Sequence, residues 1–366
     1  KSTKSTDKAN NVLRSTILAM PSFSQDVMEE VTYTISEIAE DVVNIDEYVS
    51  PIFNECDNIG QLSQHLGNIQ RIDGVKEAWT TNSALVIRTR GGFTMSWMYP
   101  LDGNSEEIYE TETASKSEKR MFGKRVMTKS SSYDTHDSGH DYHNVCIINQ
   151  QFDQENRKGY LAKYDTLAMK FENSGFGKVE RIDGAEANLD FFKNSFTKYD
   201  IIFLITHGYY DDKYNNHWIA TGEEWGIKEG VKKFIEDIES ILDNESIKNN
   251  EFEGIGAITI PGIDKYYIGF CETFVNKTME KNKNFDNAII FNVSCQSLMD
   301  NDRLADAFLN KGAAVYLGYN ESNIIGQDAG LKFFDNMRYG MTVEEAFDKL
   351  ESTGKVKYFG VSNQNM

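Results

Sequence analysis

The strongest constraint on the fold is a series of short apolar runs that alternate with helical patterns in the second half of the chain. Three of these runs are almost uninterrupted, at residues 200–206, 287–294 and 313–319. Strands that are apolar along their whole length are typical of parallel sheets, because helices cover both faces of such sheets. Shorter strand patterns lie at 144–150 and 177–184, and helical patterns lie at 165–176, 187–199, 303–311, 327–338 and 343–352. The sequence therefore predicts an α/β fold with a mostly parallel sheet flanked by helices.

The first part of the chain has a different pattern, which predicts a separate small domain. Residues 24–44 carry apolar side chains at helical spacing. Residues 75–99 contain three β-rich runs divided by two turn signals, which is typical of a meander. With 366 residues, the chain is long for a single core. We therefore expect an N-terminal α+β domain at 1–110, a polar linker at 111–142 and the α/β domain at 143–366.

Composition excludes several classes of protein. The formal charge of −19 makes the chain a poor nucleic-acid binder, because it would repel phosphates. No apolar run approaches the length of a membrane span, so no transmembrane segment is expected. The four cysteines show no C-x-x-C spacing, which argues against a zinc ribbon and against a disulfide scaffold. The polar start, rich in Ser, Thr and Lys, fits the mature start of an exported (secreted or lipid-anchored) protein as well as a trimmed sequence.

Two of the apolar strands end on residues that can form a catalytic pair. The run at 200–206 leads directly into His207 and Gly208, and the run at 287–294 leads into Cys295. In open α/β sheets, ligands bind at the carboxyl ends of the strands. A thiolate is the nucleophile of cysteine chemistry, and a nearby imidazole can generate it. Gly208 would allow close approach of a substrate and could direct its N–H at a developing oxyanion. Cys146 and Cys271, within strand-like runs, are expected to be buried.

These strand ends resemble the two catalytic motifs of the caspase-like cysteine peptidases of clan CD, which include caspases, gingipains, clostripain, separase and the CHAT domains. The matching segments are FLITHG at 203–208 and IIFNVSCQS at 289–297. After them, the order of a helix, a glycine, a strand and a helix pair is also similar to that of gingipains and CHAT domains. The similarity covers about residues 143–355 and does not include the N-terminal region.

The resemblance implies a fold, an activity and a set of roles. It implies a caspase-like sheet and hydrolysis of peptide bonds in protein or peptide substrates. Cys295 would be the nucleophile, His207 the general acid and base, and Gly208 an oxyanion donor. No cofactor is expected. Some clan members use calcium, so the binding of a calcium ion is left as an alternative.

The sequence departs from the clostripain branch two residues before the cysteine, where Val293 replaces an acid that lines the pocket for a basic side chain. Cleavage after Arg or Lys would then depend on other acids. The candidates for substrate binding are Asp300, Asp302 and Glu321, each of which is alternatively a solvated loop residue.

Two other polar segments have alternative interpretations. Residues 116–129 carry six basic residues and one acid, which fits either a solvated loop or a segment cut during activation. His136, His140 and His143 alternate with aspartates, which fits a polar linker better than a metal site, because their spacing matches no strong motif. For the whole chain, the alternatives to a cysteine endopeptidase are a non-catalytic or regulatory binding module of the same fold and an α/β hydrolase acting on small amides.

Overall fold

The structure is a computed structural model. It describes residues 33–99, 144–150, 159–174, 176, 178–242, 252, 254–259, 265–279, 284–299, 302–319, 326–351 and 356–360. The α-helices are α1 Ile35–Glu55, α2 Ile59–Ser63, α3 Leu66–Ile69, α4 Tyr160–Asn173, α5 Leu189–Asn194, α6 Val231–Ile241, α7 Glu272–Lys277, α8 Arg303–Asn310, α9 Gly326–Arg338 and α10 Val343–Glu351. The strands are β1 Val75–Thr80, β2 Ala84–Thr89, β3 Thr94–Met98, β4 Val145–Asn149, β5 Val179–Asp183, β6 Ile201–Ile205, β7 Gly208–Asp211, β8 Asn216–Trp225, β9 Ile255–Thr259, β10 Tyr266–Phe270, β11 Ile289–Val293, β12 Val315–Tyr319 and β13 Val356–Gly360.

The predicted α/β architecture is confirmed by a six-stranded sheet of order β5–β4–β6–β11–β12–β13. Its first five strands run parallel, and β13 pairs antiparallel with β12 at one edge. Each of the five strand patterns in the second half of the sequence contains one of these parallel strands. The chain moves from β4 outward to β5 and then returns to the other side of β4 to form β6. This reversal creates a switch point between β4 and β6, where open α/β sheets bind ligands.

Helices cover both faces of the parallel sheet, which explains why its central strands are apolar throughout. On one face, α4, α9 and α10 bury aromatic side chains against the strands. The ring of Tyr164 meets Phe203 at 5.9 Å, and Phe333 meets Phe291 at 5.4 Å. On the other face, Phe308 of α8 stacks on Tyr316 with ring centroids 5.9 Å apart. No alternation of polar and apolar residues is needed in strands buried on two sides.

A second sheet combines strands from both halves of the chain. Its order is β1–β2–β3–β9–β10–β8–β7, and every pairing is antiparallel except the parallel pair β3–β9. The expected three-stranded meander at 75–99 is present. However, it shares main-chain hydrogen bonds with strands from the second half of the chain, and the described residues from Thr34 onward belong to one compact unit. The strands predicted for a domain at 1–110 therefore share one sheet with strands from the second half of the chain, and the boundary at residue 110 stays a prediction. The predicted linker at 111–142 lies outside the described residues.

The edge strands of this second sheet meet through side chains, so the sheet is rolled. The Trp79 indole N–H on β1 donates to the Asp211 carboxylate on β7 at 3.0 Å. Glu77 on β1 accepts from the Tyr214 hydroxyl at 2.7 Å and pairs with Lys213. The rolled sheet encloses an apolar cluster of Trp79, Ala84, Val86, Met98, Tyr209, Trp218, Ala220, Ile258 and Cys271. The N-terminal strands are therefore held on two sides, by β9 and by β7.

The N-terminal helix runs further than its predicted end at residue 44. In the described residues it begins at Ile35 after a capping box between Thr34 and Glu37. Its apolar stripe continues through Ile45, Val49 and Phe53, all buried. None of the helices in the described ranges is both long and apolar enough to cross a membrane.

Candidate functional site

His207 and Cys295 are brought to the same edge of the parallel sheet by the register of two adjacent strands. β6 and β11 are parallel neighbours, and Ile205 pairs with Val293 at their ends. His207 and Cys295 each follow this pair by two residues. The Thr206 N–H donates to the Val293 carbonyl at 3.2 Å, so the contact between the two segments continues beyond the strands. Both residues are half-buried.

His207 lies where the chain leaves one sheet and enters the other. β6 ends at Ile205, and β7 begins at Gly208. The His207 N–H donates to Gln150 Oε1 at 3.4 Å, and its carbonyl accepts from the Ala220 N–H at 2.9 Å. Gln150 directly follows β4. The backbone of His207 is therefore held between the switch point and strand β8 of the rolled sheet.

Gly208 has a steric reason to be glycine. A Cβ at this position would lie 2.6 Å from the Trp218 carbonyl oxygen and 2.8 Å from His217 Nε2. Carbon atoms do not approach protein atoms this closely, so a side chain would displace β8 or the His217 ring. The predicted oxyanion role of Gly208 remains a prediction. The structure adds a second reason for glycine, the close packing of β7 on His217.

The turn after Cys295 contains a strained residue whose side chain contacts the β1–β2 turn and strand β7. Gln296 has a left-handed backbone, with φ of 56°, a conformation that costs about 1–2 kcal/mol outside glycine. Its side-chain Oε1 lies 3.3 Å from the Ser83 hydroxyl and 3.5 Å from the Tyr210 N–H. The Ser297 hydroxyl donates to the Asn292 carbonyl at 2.9 Å. Strain of this kind accumulates at functional sites.

The thiol of Cys295 is protonated at neutral pH. The surrounding protein raises its pKa to about 11 by removing solvent from the thiolate, although part of the residue remains exposed. Nucleophilic use of Cys295 therefore requires a base that takes the proton as the new bond forms. Burial also raises the pKa values of the other three cysteines. Cys146 and Cys271 are buried, and Cys146 lies within β4.

A second histidine, which the sequence interpretation missed, contacts the residue that carries this thiol. His217 lies on β8 and is completely buried. Its Nε2 is 3.1 Å from the Cys295 carbonyl oxygen and 3.4 Å from the Ser294 hydroxyl. Burial lowers the pKa of His217 to about 3, so the ring is neutral. The sequence signal for it is a histidine at the start of the apolar run HWIA, residues 217–220.

The switch point contains a buried amide without a hydrogen-bond partner among the described residues. Asn149 is the last residue of β4, is fully buried, and leaves both its amide nitrogen and its amide oxygen unpaired in this part of the structure. In the strand register it lies beside Ile205 of β6 and Asp183 of β5. Its position one residue before Gln150 places it next to the strand that leads to His207.

The predicted substrate-binding acids have different outcomes. Asp302 is 4% exposed and is the N-cap of α8, where its carboxylate accepts from the Leu304 N–H at 2.9 Å and the Ala305 N–H at 3.3 Å. Burial raises the pKa of Asp302 to about 7. The structure thus places it in a helix cap, and not as an open carboxylate of a cleft wall. Asp300 and Glu321 lie outside the described residues.

The described residues contain no group of three His, Cys, Asp or Glu side chains placed to hold a metal ion. The cluster of His136, His140 and His143 lies outside them, as does the basic segment 116–129. A scan against protein-family models found no match for this chain, and a search of curated proteins found none either.

Proposed function

We propose that this protein is a cysteine endopeptidase in which Cys295 is the nucleophile and His207 the general base and acid. The observation that carries the proposal is the strand register. Ile205 and Val293 pair at the ends of two adjacent strands, and His207 and Cys295, 88 positions apart, each follow two residues later. Three further features support it: the switch point beside β6, the strained residue after Cys295, and the partial exposure of both side chains. The resemblance of the two motifs to clan CD peptidases agrees with these features.

The proposed reaction proceeds through an acyl-enzyme. The Cys295 sulfur attacks the carbonyl carbon of the scissile peptide bond while His207 takes the thiol proton. The C–N bond then breaks, His207 gives this proton to the departing amine, and a thioester to Cys295 remains. Water attacks the thioester and passes a proton to His207. The C–S bond breaks, the acid product leaves and the thiol is restored. The Gly208 and Cys295 N–H groups are the proposed donors to the oxyanion.

The raised pKa of the thiol determines which form of this mechanism is supported. With a pKa of about 11, the Cys295 thiolate is a minor species at neutral pH in the resting protein. General-base removal of the proton during attack is therefore favoured over a thiolate–imidazolium pair that exists before substrate binds. The same pKa would also suit a cysteine without catalytic use, so the alternative function is a binding module of the same fold.

Labelling with a peptidyl chloromethyl ketone separates these two functions. The reagent should modify Cys295 and spare Cys56, Cys146 and Cys271, as read by mass spectrometry of peptides. His207→Ala should abolish the labelling, because alkylation by such reagents uses the same base and the same cleft as the substrate. His65→Ala is the matched control, since His65 is also half-buried but lies in the N-terminal helical region. Equal labelling of wild type and His207→Ala would favour the binding module.

We further propose a preference for Arg or Lys before the scissile bond. The net charge of −19 and the acids that follow Cys295 support it. A carboxylate in the first pocket would pair with a basic side chain, and would bind Arg in a bidentate manner. Because Asp302 is a buried helix cap, the proposal now depends on Asp300 and Glu321. Profiling with a peptide library should show cleavage after Arg or Lys. Preferred cleavage after Asp or an apolar residue would refute it.

A further inference from the structure

The contact between His217 and Cys295 has a defined direction. A carbonyl oxygen can only accept, so a hydrogen bond to the Cys295 oxygen requires a proton on Nε2 of His217. A neutral ring carries one N–H, so Nδ1 is then unprotonated. Within the described residues, Nδ1 is buried and has no hydrogen-bond partner. The single N–H of this ring therefore donates to the backbone of Cys295, the residue that carries the thiol.

The Ser294 hydroxyl lies beside the same contact, where it can only accept a share of the Nε2–H that the Cys295 carbonyl receives. It lies 3.4 Å from the same Nε2 atom. His217 consequently contacts both residues at the start of the turn after β11, the side chain of Ser294 and the carbonyl of Cys295. A carbonyl turned away from this donor would lose its hydrogen bond, so the contact favours this one orientation of the peptide plane.

The position of the ring is itself constrained. His217 pairs with Tyr210 in the register between β7 and β8. Gly208, the first residue of β7, gives the ring its space, because a Cβ there would lie 2.8 Å from Nε2 and 3.0 Å from Cε1. The rolled sheet therefore holds the imidazole against the turn, and the residue directly after His207 is part of that arrangement.

We propose that His217 is a positioning residue, whose Nε2–H donates to the Cys295 carbonyl and fixes the orientation of the nucleophile relative to His207. This inference rests on the proposed peptidase function. It assigns the rolled sheet a direct part in the site, since the ring that holds the Cys295 segment belongs to β8. His217 does not touch the reacting atoms in this proposal, and it acts only through the backbone of Cys295.

A pair of substitutions tests the donor. His217→Leu removes the N–H, whereas His217→Gln keeps a side-chain N–H. His217→Leu should lower kcat about tenfold to a hundredfold with KM within about twofold, because small misplacements of a nucleophile have effects of this size. His217→Gln should recover part of the loss. His65→Leu and His65→Gln are the matched controls and should leave both parameters unchanged. If His217→Leu folds and retains wild-type kcat, the proposal is wrong.

The alkylation rate of Cys295 by iodoacetamide gives a readout that does not depend on peptide hydrolysis. His217→Leu should change this rate by several fold relative to wild type, and His217→Gln should change it less. If the wild type hydrolyses no peptide and its Cys295 alkylation is insensitive to His207→Ala, the proposed function fails. The effect of His217→Leu on alkylation is still measured in that case. An unchanged rate would overturn the positioning role itself.

A spectroscopic measurement on wild-type protein covers the case in which neither His217 variant folds. Nitrogen-15 spectra of the imidazole rings at pH 6 should contain one neutral ring that is protonated on Nε2 and exchanges slowly with solvent. A slowly exchanging ring protonated on Nδ1, or the absence of a neutral slowly exchanging ring, would overturn the proposal.

Discussion

His207 and Cys295 lie two residues beyond Ile205 and Val293, which face each other in register at the ends of β6 and β11. This relationship requires that the two strands be adjacent, parallel and unshifted. A shift of one residue would separate the two side chains along the edge and exchange the faces of the strand. The four strands β7 to β10, which lie between β6 and β11 in the chain, belong to the second sheet. The pair is thus a product of strand register, and not of a local motif.

The first prediction concerns the pH dependence of Cys295 reactivity. In His207→Ala, the rate of alkylation of Cys295 by iodoacetamide should rise from pH 7 to pH 10 at about tenfold per pH unit. The reason is that only the thiolate reacts and its fraction grows in this way below the pKa, which burial raises to about 11. Alkylation is followed by mass spectrometry, with Cys295→Ala as the control for the other cysteines. A plateau below pH 9 would contradict the raised pKa.

The second prediction concerns the pH dependence of stability through Asp302. Its pKa in the folded protein is about 7, above the usual value of about 4 for an exposed carboxyl. Between these values the folded state holds a proton that the unfolded state has released. Stability from this group is therefore fully present below about pH 4 and decreases as pH rises through 7.

Asp302→Asn should remove this loss of stability at high pH, because asparagine is also a good N-cap and carries no charge. Melting temperatures of wild type and variant should be similar at low pH, and the variant should melt higher at pH 8. Asp306→Asn, at an exposed position of the same helix, is the control. The prediction fails if Asp302→Asn melts lower than wild type at pH 8. Because Asp302 is a cap, this variant should also keep the wild-type cleavage preference if the protein is the proposed peptidase.

The third prediction tests the closure of the rolled sheet. Trp79→Phe removes the donor to the Asp211 carboxylate, which is 2% exposed, and should lower the free energy of unfolding by about 1.5–3 kcal/mol. Trp225→Phe is the matched control, since its N–H donates to the neutral Gly256 carbonyl at 3.0 Å and should cost about 1 kcal/mol. Urea unfolding measures both.

Adding Asp211→Asn to Trp79→Phe should recover part of the lost stability, because the buried group is then neutral. If Trp79→Phe costs no more than Trp225→Phe, the contact between the edge strands does not stabilise the sheet as argued. Loosening of the β1–β2 turn should also affect the candidate site, because Ser83 in that turn lies against Gln296, the residue after the proposed nucleophile.

The parallel sheet could be predicted from the sequence because its strands are marked by local composition. Each central strand is a continuous apolar run, and each is followed or preceded by a helical pattern. The strand ends at His207 and Cys295 follow from the same signal. The sequence alone does not show that the two strands are neighbours. The pairing of Ile205 with Val293 in the structure shows it.

The rolled sheet could not be predicted in the same way, because its strands depend on partners that are distant in sequence. β3 at 94–98 pairs with β9 at 255–259, and no local pattern contains that information. β8 includes Gly222 and two glutamates, which weaken its strand pattern. The contact of His217 with Cys295 could not be predicted for a further reason: its partner is a backbone carbonyl, which every residue carries. The hydrogen bond of Asp211 with Trp79 joins residues distant in sequence and could not be predicted either.

The last prediction concerns the basic segment 116–129, which lies outside the described residues. If the protein cleaves after Arg or Lys, this segment, with six basic residues and one acid, is a candidate substrate within the same chain. Wild-type protein should accumulate a fragment that begins near residues 121–130, and Cys295→Ala should stay whole. Combined substitution of Lys124 and Arg125 by Gln should slow the cut without affecting hydrolysis of a small peptide. Mass spectrometry of the fragments identifies the site.

Adding a trace of wild type to Cys295→Ala distinguishes cleavage between molecules from cleavage within one. If wild type hydrolyses peptides and its own chain remains intact, the segment is not a processing site, and its charge requires another explanation.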